Sequence, residues 1–382
     1  MRTLLADRRA QSRDVAVVLS GGGVNGVLME LGFLKRIRET GLWPRIGWIF
    51  GTSAGALAGT MAALDRLDDL EGFLYDLRPE EAFRPNRLWR LPLLGMHDYA
   101  LPQTIAERVG GTVELAVQLR EAPVELVVVA TDVSADEDPH RSDELELAYS
   151  AWTTDPEVFA SAVLASAAIS GLVLPLRVGD RIATDGGWVR NYPLGYAYDR
   201  PEVELIVGFR YVPRYPVIGA GPLRAAARRL RRYSKLPAAR HLVAELEEAV
   251  EREERGLPAH IADIFSRLSR VSIIRNTELE EVVADWRDRS VQELRALQHD
   301  VLELLADRPE LASRVEARFG EARFPFRHDR VIPRITVVGK ANGASLEPGF
   351  RNPKPWTVEQ KRELIDLGYD AADRALRANG YA

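Results

Sequence analysis

Twice within the first 65 residues a short apolar run passes into a glycine turn and then into helical periodicity. Val15–Leu19 reads VAVVL and leads into Gly21-Gly22-Gly23; Ile46–Phe50 reads IGWIF and leads into Gly51-Thr52-Ser53-Ala54-Gly55. Apolar runs of this length, closed by glycine, are the pattern of buried strands. After the first, Val27, Leu31, Leu34 and Ile37 recur near every 3.6 residues, and Gly41 stands where a C′ glycine is expected. After the second, Ala54–Leu64 is rich in Ala and Gly and suits a helix packed closely on a sheet. Successive strand–turn–helix units need helices on the faces of a sheet, so the fold class is an α/β layered core.

The pattern continues. Val124–Ala130 is a third buried strand. Thr154 or Asp155 at the N-cap and Pro156 at the first position open a helix to about Ile169. Leu174–Val178 and Arg181–Thr184 flank Gly179-Asp180 as a hairpin, and Val203–Phe209 and Ile335–Val338 are further strands. From about Val212 to Asp329 the chain is rich in Arg, Glu, Leu and Ala with helical spacing, and Val358–Ala378 is a closing helix. The expected organisation is a core over 1–211, a helical insertion over 212–329, and a return to the core over 330–382.

Composition removes some chemistry. The 382 residues include no cysteine, which excludes disulfides, thiolate catalysis and cysteine-based zinc or iron–sulfur sites. The segment MRTLLADRRAQSRD has no apolar signal core. Ile46–Leu64 and Val158–Leu176 are free of charge, but glycines break both and Pro175 breaks the second. Both read as buried strand–turn–helix or helix–loop–strand units, not membrane spans. The expectation is a soluble, cytoplasmic protein that could touch a membrane peripherally.

Gly21-x-Gly23-x-x-Gly26 fits the dinucleotide pattern, yet the next strand, IGWIF, ends in GTSAG without the carboxylate that would hold a ribose. A nicotinamide cofactor is therefore not expected. The same loop could instead be a set of bare N–H groups facing an oxyanion. GTSAG is G-x-S-x-G between strand and helix, the setting of a nucleophile elbow, with Gly51 and Gly55 leaving room around Ser53. A serine nucleophile needs a base. Of the six histidines, His328 in FRHDR lacks a strand setting, and His97, His140, His241, His260 and His299 look like ordinary surface or helix residues. The alternative is Asp185, at a strand end before Gly186-Gly187, which also reads as a plain Asp-Gly turn.

GGGVNG, GTSAG, ASAAISGLVLP and DGG, in that order over about Val15–Asn191, resemble the patatin-like phospholipase family. The resemblance implies a three-layer fold with a mainly parallel central sheet flanked by helices. It implies a histidine-free dyad, Ser53 as nucleophile and Asp185 as base, that cleaves lipid esters through an acyl-enzyme. The backbone N–H groups of Gly21, Gly22 and Gly23, with Ala54, would form the oxyanion hole. No metal or organic cofactor is implied. Asn25 departs from the family loop, which carries a basic residue there. The alternative is a catalytically weak scaffold that binds lipid or a protein partner.

Arg224–Arg240 carries seven basic residues with Leu230, Tyr233 and Leu236, and could meet an anionic membrane surface. The competing reading is a solvated helix paired with the acidic ELEEAVEREERG that follows. No aromatic platform or binding motif points to nucleic acid. Oligomeric state leaves no mark in the sequence.

Overall fold

A computed structural model describes residues 13–86, 97–134, 145–170, 172–212, 221–255, 257, 261–322, 329–341, 346 and 355–381. The elements used below begin with β1 (Val15–Leu19), α1 (Gly23–Arg38), β2 (Ile46–Thr52), α2 (Ala54–Ala63) and α3 (Leu67–Asp76). The antiparallel pair β3 (Phe83–Pro85) and β4 (His97–Tyr99) precedes α4 (Leu101–Arg108) and α5 (Thr112–Glu121). Next come β5 (Glu125–Asp132), β6 (Glu146–Ser150), α6 (Pro156–Ser166), β7 (Leu176–Val178) and β8 (Arg181–Asp185). The short α7 (Gly187–Arg190) and α8 (Leu194–Tyr198) lead to β9 (Leu205–Tyr211). The rest is α9 (Gly221–Arg231), α10 (Pro237–Glu254), α11 (Ile261–Leu304), α12 (Pro309–Glu321), β10 (Arg334–Gly339) and α13 (Val358–Ala378).

The central sheet runs β10-β9-β1-β2-β5-β8-β7, with β6 also paired to β5. The five strands from β10 to β5 are parallel, whereas β6 and β8 run antiparallel to β5 and β7 to β8. β1 shows how sequence makes the layers. Val15, Val17 and Leu19 enter one apolar cluster with Leu28 of α1, Ala58 of α2 and Leu364 of α13. The alternate residues, Ala16 and Val18, enter another with Ala197 of α8 and Ala284 of α11. The period of two along a strand thus buries both faces, giving the expected three layers.

Small residues set the closest approaches. A Cβ on Gly55 would lie 2.5 Å from the Leu19 carbonyl, so only glycine lets α2 begin this close to β1. α1 and α13 cross at Gly32 and Gly368, where a Cβ would meet the Ile365 and Met29 carbonyls. The end of α1 differs from expectation. The Thr40 hydroxyl donates to the Ile37 carbonyl at 2.7 Å and accepts the Leu42 N–H at 3.2 Å. This side-chain closure makes a left-handed residue unnecessary, and Gly41 does not adopt positive φ.

Two compact units are present. One comprises Met1–Val212 and Asn276–Ala382, the other Pro213–Arg275. The helical stretch expected at 212–329 is therefore divided: from Asn276 onward it belongs with the core. Within the smaller unit, the basic α9 pairs with the acidic α10 through Arg224–Glu254 and Arg231–Glu247. Among the described residues no helix is long and apolar enough to cross a membrane.

Candidate active site

The geometry starts from the edges of β5. β2 pairs with β5 up to Thr52 opposite Val129, and β8 pairs with it from Asp185 opposite Ala130. β6 occupies the other edge, opposite Val127–Thr131. A strand has two edges, so β2 and β8 share one and meet end to end. Their last residues, Thr52 and Asp185, lie beside consecutive residues of β5. Ser53 follows Thr52 with φ 54° and ψ −116°. Positive φ in a non-glycine residue costs about 1–3 kcal/mol and persists only where its surroundings enforce it. The bend lies between a strand and a helix, the setting in which the G-T-S-A-G pattern is expected to form a nucleophile elbow. The Ser53 hydroxyl donates to Asp185 Oδ2 at 2.6 Å.

Neighbours fix both residues. The Ser53 N–H donates to the Ser166 hydroxyl at 2.9 Å, which donates to the Val129 carbonyl at 2.6 Å. Asp185 Oδ1 accepts the Gly187 N–H at 2.7 Å, and its carbonyl accepts the Thr131 hydroxyl at 2.7 Å. Ser53 and Asp185 are only 4% and 8% exposed. Burial pushes the Asp185 carboxyl up to about 6, against the lowering effect of the bonds from Ser53 and Gly187. Such a group is a stronger base than a solvated aspartate yet is ionised at neutral pH.

The glycines divide by role. Gly51 packs against the Gly55 carbonyl and Gly186 against the Val129 carbonyl, closer than any Cβ allows. A Cβ on Gly187 would lie 3.0 Å from Asp185 Oδ1. The Gly21 N–H, expected to face an oxyanion, instead donates to the Asn191 carbonyl at 2.9 Å. The segment after Asp185 passes beside the end of β1 and takes that donor. The N–H groups of Gly22 and Gly23 have no partner among the described residues. Gly23 has φ +58° and opens α1, whose first turn contains no acid and no side-chain cap. The loop adjoins Ser53: a Cβ on Gly21 would lie 3.2 Å from the Ser53 Cβ. The N-termini of α1 and α2 thus flank Ser53, a setting that favours negative charge.

Ser53, Ala54 and Gly23 also form part of the wall of an apolar cavity of about 110 Å³. Helices α2 to α6 supply most of the rest, with Met61, Phe73, Ala116 and Phe159 among the lining side chains, and Val27 of α1 and Phe83 of β3 add to it. The sequence patterns mark no element between residues 65 and 123, a stretch that holds three of these helices.

Asn25 has a packing role: its Oδ1 accepts the Leu346 N–H at 2.8 Å, which a basic side chain could not do. His97 is buried on β4, while His241 and His299 are exposed. His140, His260 and His328 lie outside the described residues. Among the described residues no group of three or more His, Asp or Glu could hold a metal ion. The sequence patterns give no individual role to Ser166, Thr131 or Asn191, though Ser166 lies within ASAAISGLVLP and Asn191 ends the stretch that carries the resemblance.

The family model described as patatin-like phospholipase matches residues 17–198. An uncharacterized NTE family protein of Mycobacterium tuberculosis (strain CDC 1551 / Oshkosh) is 27% identical over 200 residues, 49% of this chain and 28% of its own. Another, of Mycobacterium bovis (strain ATCC BAA-935 / AF2122/97), is 28% identical over 187 residues, 49% of this chain and 46% of its own. The match therefore spans less than half of each relative. The crystal structure of VipD from Legionella pneumophila aligns over 97% of this chain and 67% of that one, with TM-score 0.42 and 14% identity. The segment that holds Ser53 and Asp185 is thus similar to the patatin-like phospholipase family, whose model matches it over residues 17–198.

Proposed function

We propose that the protein is a serine acyl hydrolase that cleaves lipid esters through Ser53 and Asp185. The observation that carries the reading is the 2.6 Å hydrogen bond from the Ser53 hydroxyl to a buried carboxylate beside an apolar cavity. Ser53 Oγ attacks the ester carbonyl carbon while its proton passes to Asp185 Oδ2. The tetrahedral oxyanion rests on the Gly22 and Gly23 N–H groups and on the Ala54 N–H at the start of α2. Gly21 serves by close packing, since its N–H is engaged by Asn191. Asp185 then protonates the leaving alkoxide. A water molecule, deprotonated by Asp185, releases the fatty acid and regenerates Ser53. The cavity receives the acyl chain, and the two helix N-termini favour the oxyanion.

Contact with an anionic membrane surface through Arg224–Arg240 is a second part of the proposal. Tyr233 and Leu236 are exposed there, and Arg229, Arg232, Lys235 and Arg240 have no ion-pair partner among the described residues.

A fluorophosphonate probe tests the chemistry. The wild-type chain is expected to label at Ser53 and to hydrolyse p-nitrophenyl fatty esters. Ser53→Ala should label at no detectable rate, and Asp185→Asn more slowly by roughly 10²–10⁴-fold. A folded wild type that neither labels nor turns over any ester would sink the reading.

A further inference from the structure

We infer that Asn276 of α11, outside the matched residues 17–198, is a positioning residue for both halves of the active site. The inference rests on the hydrolase reading for its catalytic consequence, but its geometry stands separately. Asn276 Nδ2 donates to the Gly187 carbonyl at 2.7 Å, and its Oδ1 accepts the Asn191 N–H at 3.1 Å. In an uninterrupted helix the Asn191 N–H would bond directly to the Gly187 carbonyl four residues earlier. The Asn276 carboxamide stands between these two groups and holds the turn open. Only a side chain with a donor and an acceptor side by side can do this.

Each end of that bridge is one peptide from the chemistry. The N–H of Gly187 is the donor on Asp185 Oδ1, at 2.7 Å. The carbonyl of Asn191 holds the Gly21 N–H at 2.9 Å, and so the start of the glycine loop. Two further contacts from α11 secure the same segment. Thr277 Oγ1 accepts the Asn191 Nδ2 at 2.9 Å. Glu280 accepts the Gly195 N–H at 3.0 Å and pairs with Arg190. The helix α7 has only four residues and cannot hold its own geometry, because a single helical turn is unstable alone. With Asn276 removed, the Asn191 N–H is free to close on Gly187, moving the donor to Asp185 and the anchor of Gly21 together.

The test compares the full-length wild type with Asn276→Ala and Asn276→Asp. Asp keeps the acceptor for Asn191 but sets a carboxylate against the Gly187 carbonyl. Both variants should show kcat on p-nitrophenyl esters lowered about 10–100-fold, with KM nearly unchanged, as expected for a small misplacement of reacting groups. Loss of the Gly187 bond, which lowers the Asp185 pKa, should move the acid limb of the pH profile upward. Amide hydrogen exchange over residues 185–195 should speed up about tenfold, while α6 keeps its protection. Wild-type kcat and an unmoved acid limb in folded Asn276→Ala would overturn the inference. If Asn276→Ala does not fold, Asn276→Asp decides by the same readouts. If the wild type itself neither labels nor hydrolyses esters, the hydrolase reading fails, and unchanged exchange over 185–195 overturns the brace.

Discussion

Ser166 holds the backbone of Ser53: its hydroxyl accepts the Ser53 N–H at 2.9 Å and donates to the Val129 carbonyl at 2.6 Å. A residue with φ 54° cannot place its N–H in a regular ladder, so a side chain must satisfy it. Ser166 is itself fully buried. Ser166→Ala takes from the Ser53 N–H its acceptor and from the Val129 carbonyl a donor, in a dry site. The expected cost is about 1–3 kcal/mol per group, read as a lower denaturation midpoint with an unchanged m-value. Fluorophosphonate labelling should slow in parallel. An unchanged midpoint would mean that the elbow is held by the sheet alone.

In the proposed reaction the raised Asp185 carboxyl sets the pH dependence of activity. General-base action needs the ionised form, so activity should rise with pH through the Asp185 pKa. The acid limb of kcat/KM is expected near pH 6, above the ordinary aspartate value of about 4. Rates on a neutral p-nitrophenyl ester across that range measure it. A limb near about pH 4 would show that Asp185 titrates as a solvated carboxylate does, against the burial seen here.

The same shift makes a stability statement of opposite sense. The folded pKa of Asp185 lies above the unfolded value, so the native state binds more protons in between. Its contribution is fully present below about pH 4 and is lost as pH rises through about 6. Asp185→Asn removes this titration. The variant's stability relative to wild type should therefore increase from about pH 4 to about pH 7, by on the order of 3 kcal/mol. Glu30 is also raised by burial and fully enclosed, but it is common to both proteins and cancels in the difference. Chemical denaturation at both pH values gives the answer, and a pH-independent difference would contradict it.

What the sequence made legible was local. Strand, glycine turn and helix around Ser53 follow from a dozen consecutive residues. So does the tight turn at Asp185-Gly186-Gly187. The meeting of Ser53 with Asp185 spans 132 positions and depends on the register of two strands against Val129 and Ala130. No local pattern encodes that register, and the ordered motifs alone suggested it. Gly21 shows the converse limit: a bare N–H looks available in sequence, yet its partner arrives from Asn191. Asn276 leaves no signal at all, because one asparagine in a polar amphipathic helix resembles many others. Of the helices around the cavity, α3, α4 and α5 leave no clear signal, because their apolar faces are short and interleaved with polar and charged residues, as in α3 and α4.

The cavity leads to a prediction about chain length. Ala116 on α5 is 2% exposed and lines the cavity between Leu115 and Leu119. A phenylalanine there would fill the space that the proposed reaction gives to the acyl chain. Each methylene kept out of an apolar site forfeits about 0.8 kcal/mol, roughly a fourfold loss in kcat/KM. Ala116→Phe should therefore hydrolyse p-nitrophenyl acetate at nearly the wild-type rate while losing activity progressively on longer chains. Overpacking typically costs about 1–3 kcal/mol, so Ala116→Leu serves as the gentler variant and a melting curve as the control. If both variants lose acetate and long-chain activity in equal proportion, the acyl chain lies elsewhere and the cavity is only a packing defect beside Ser53.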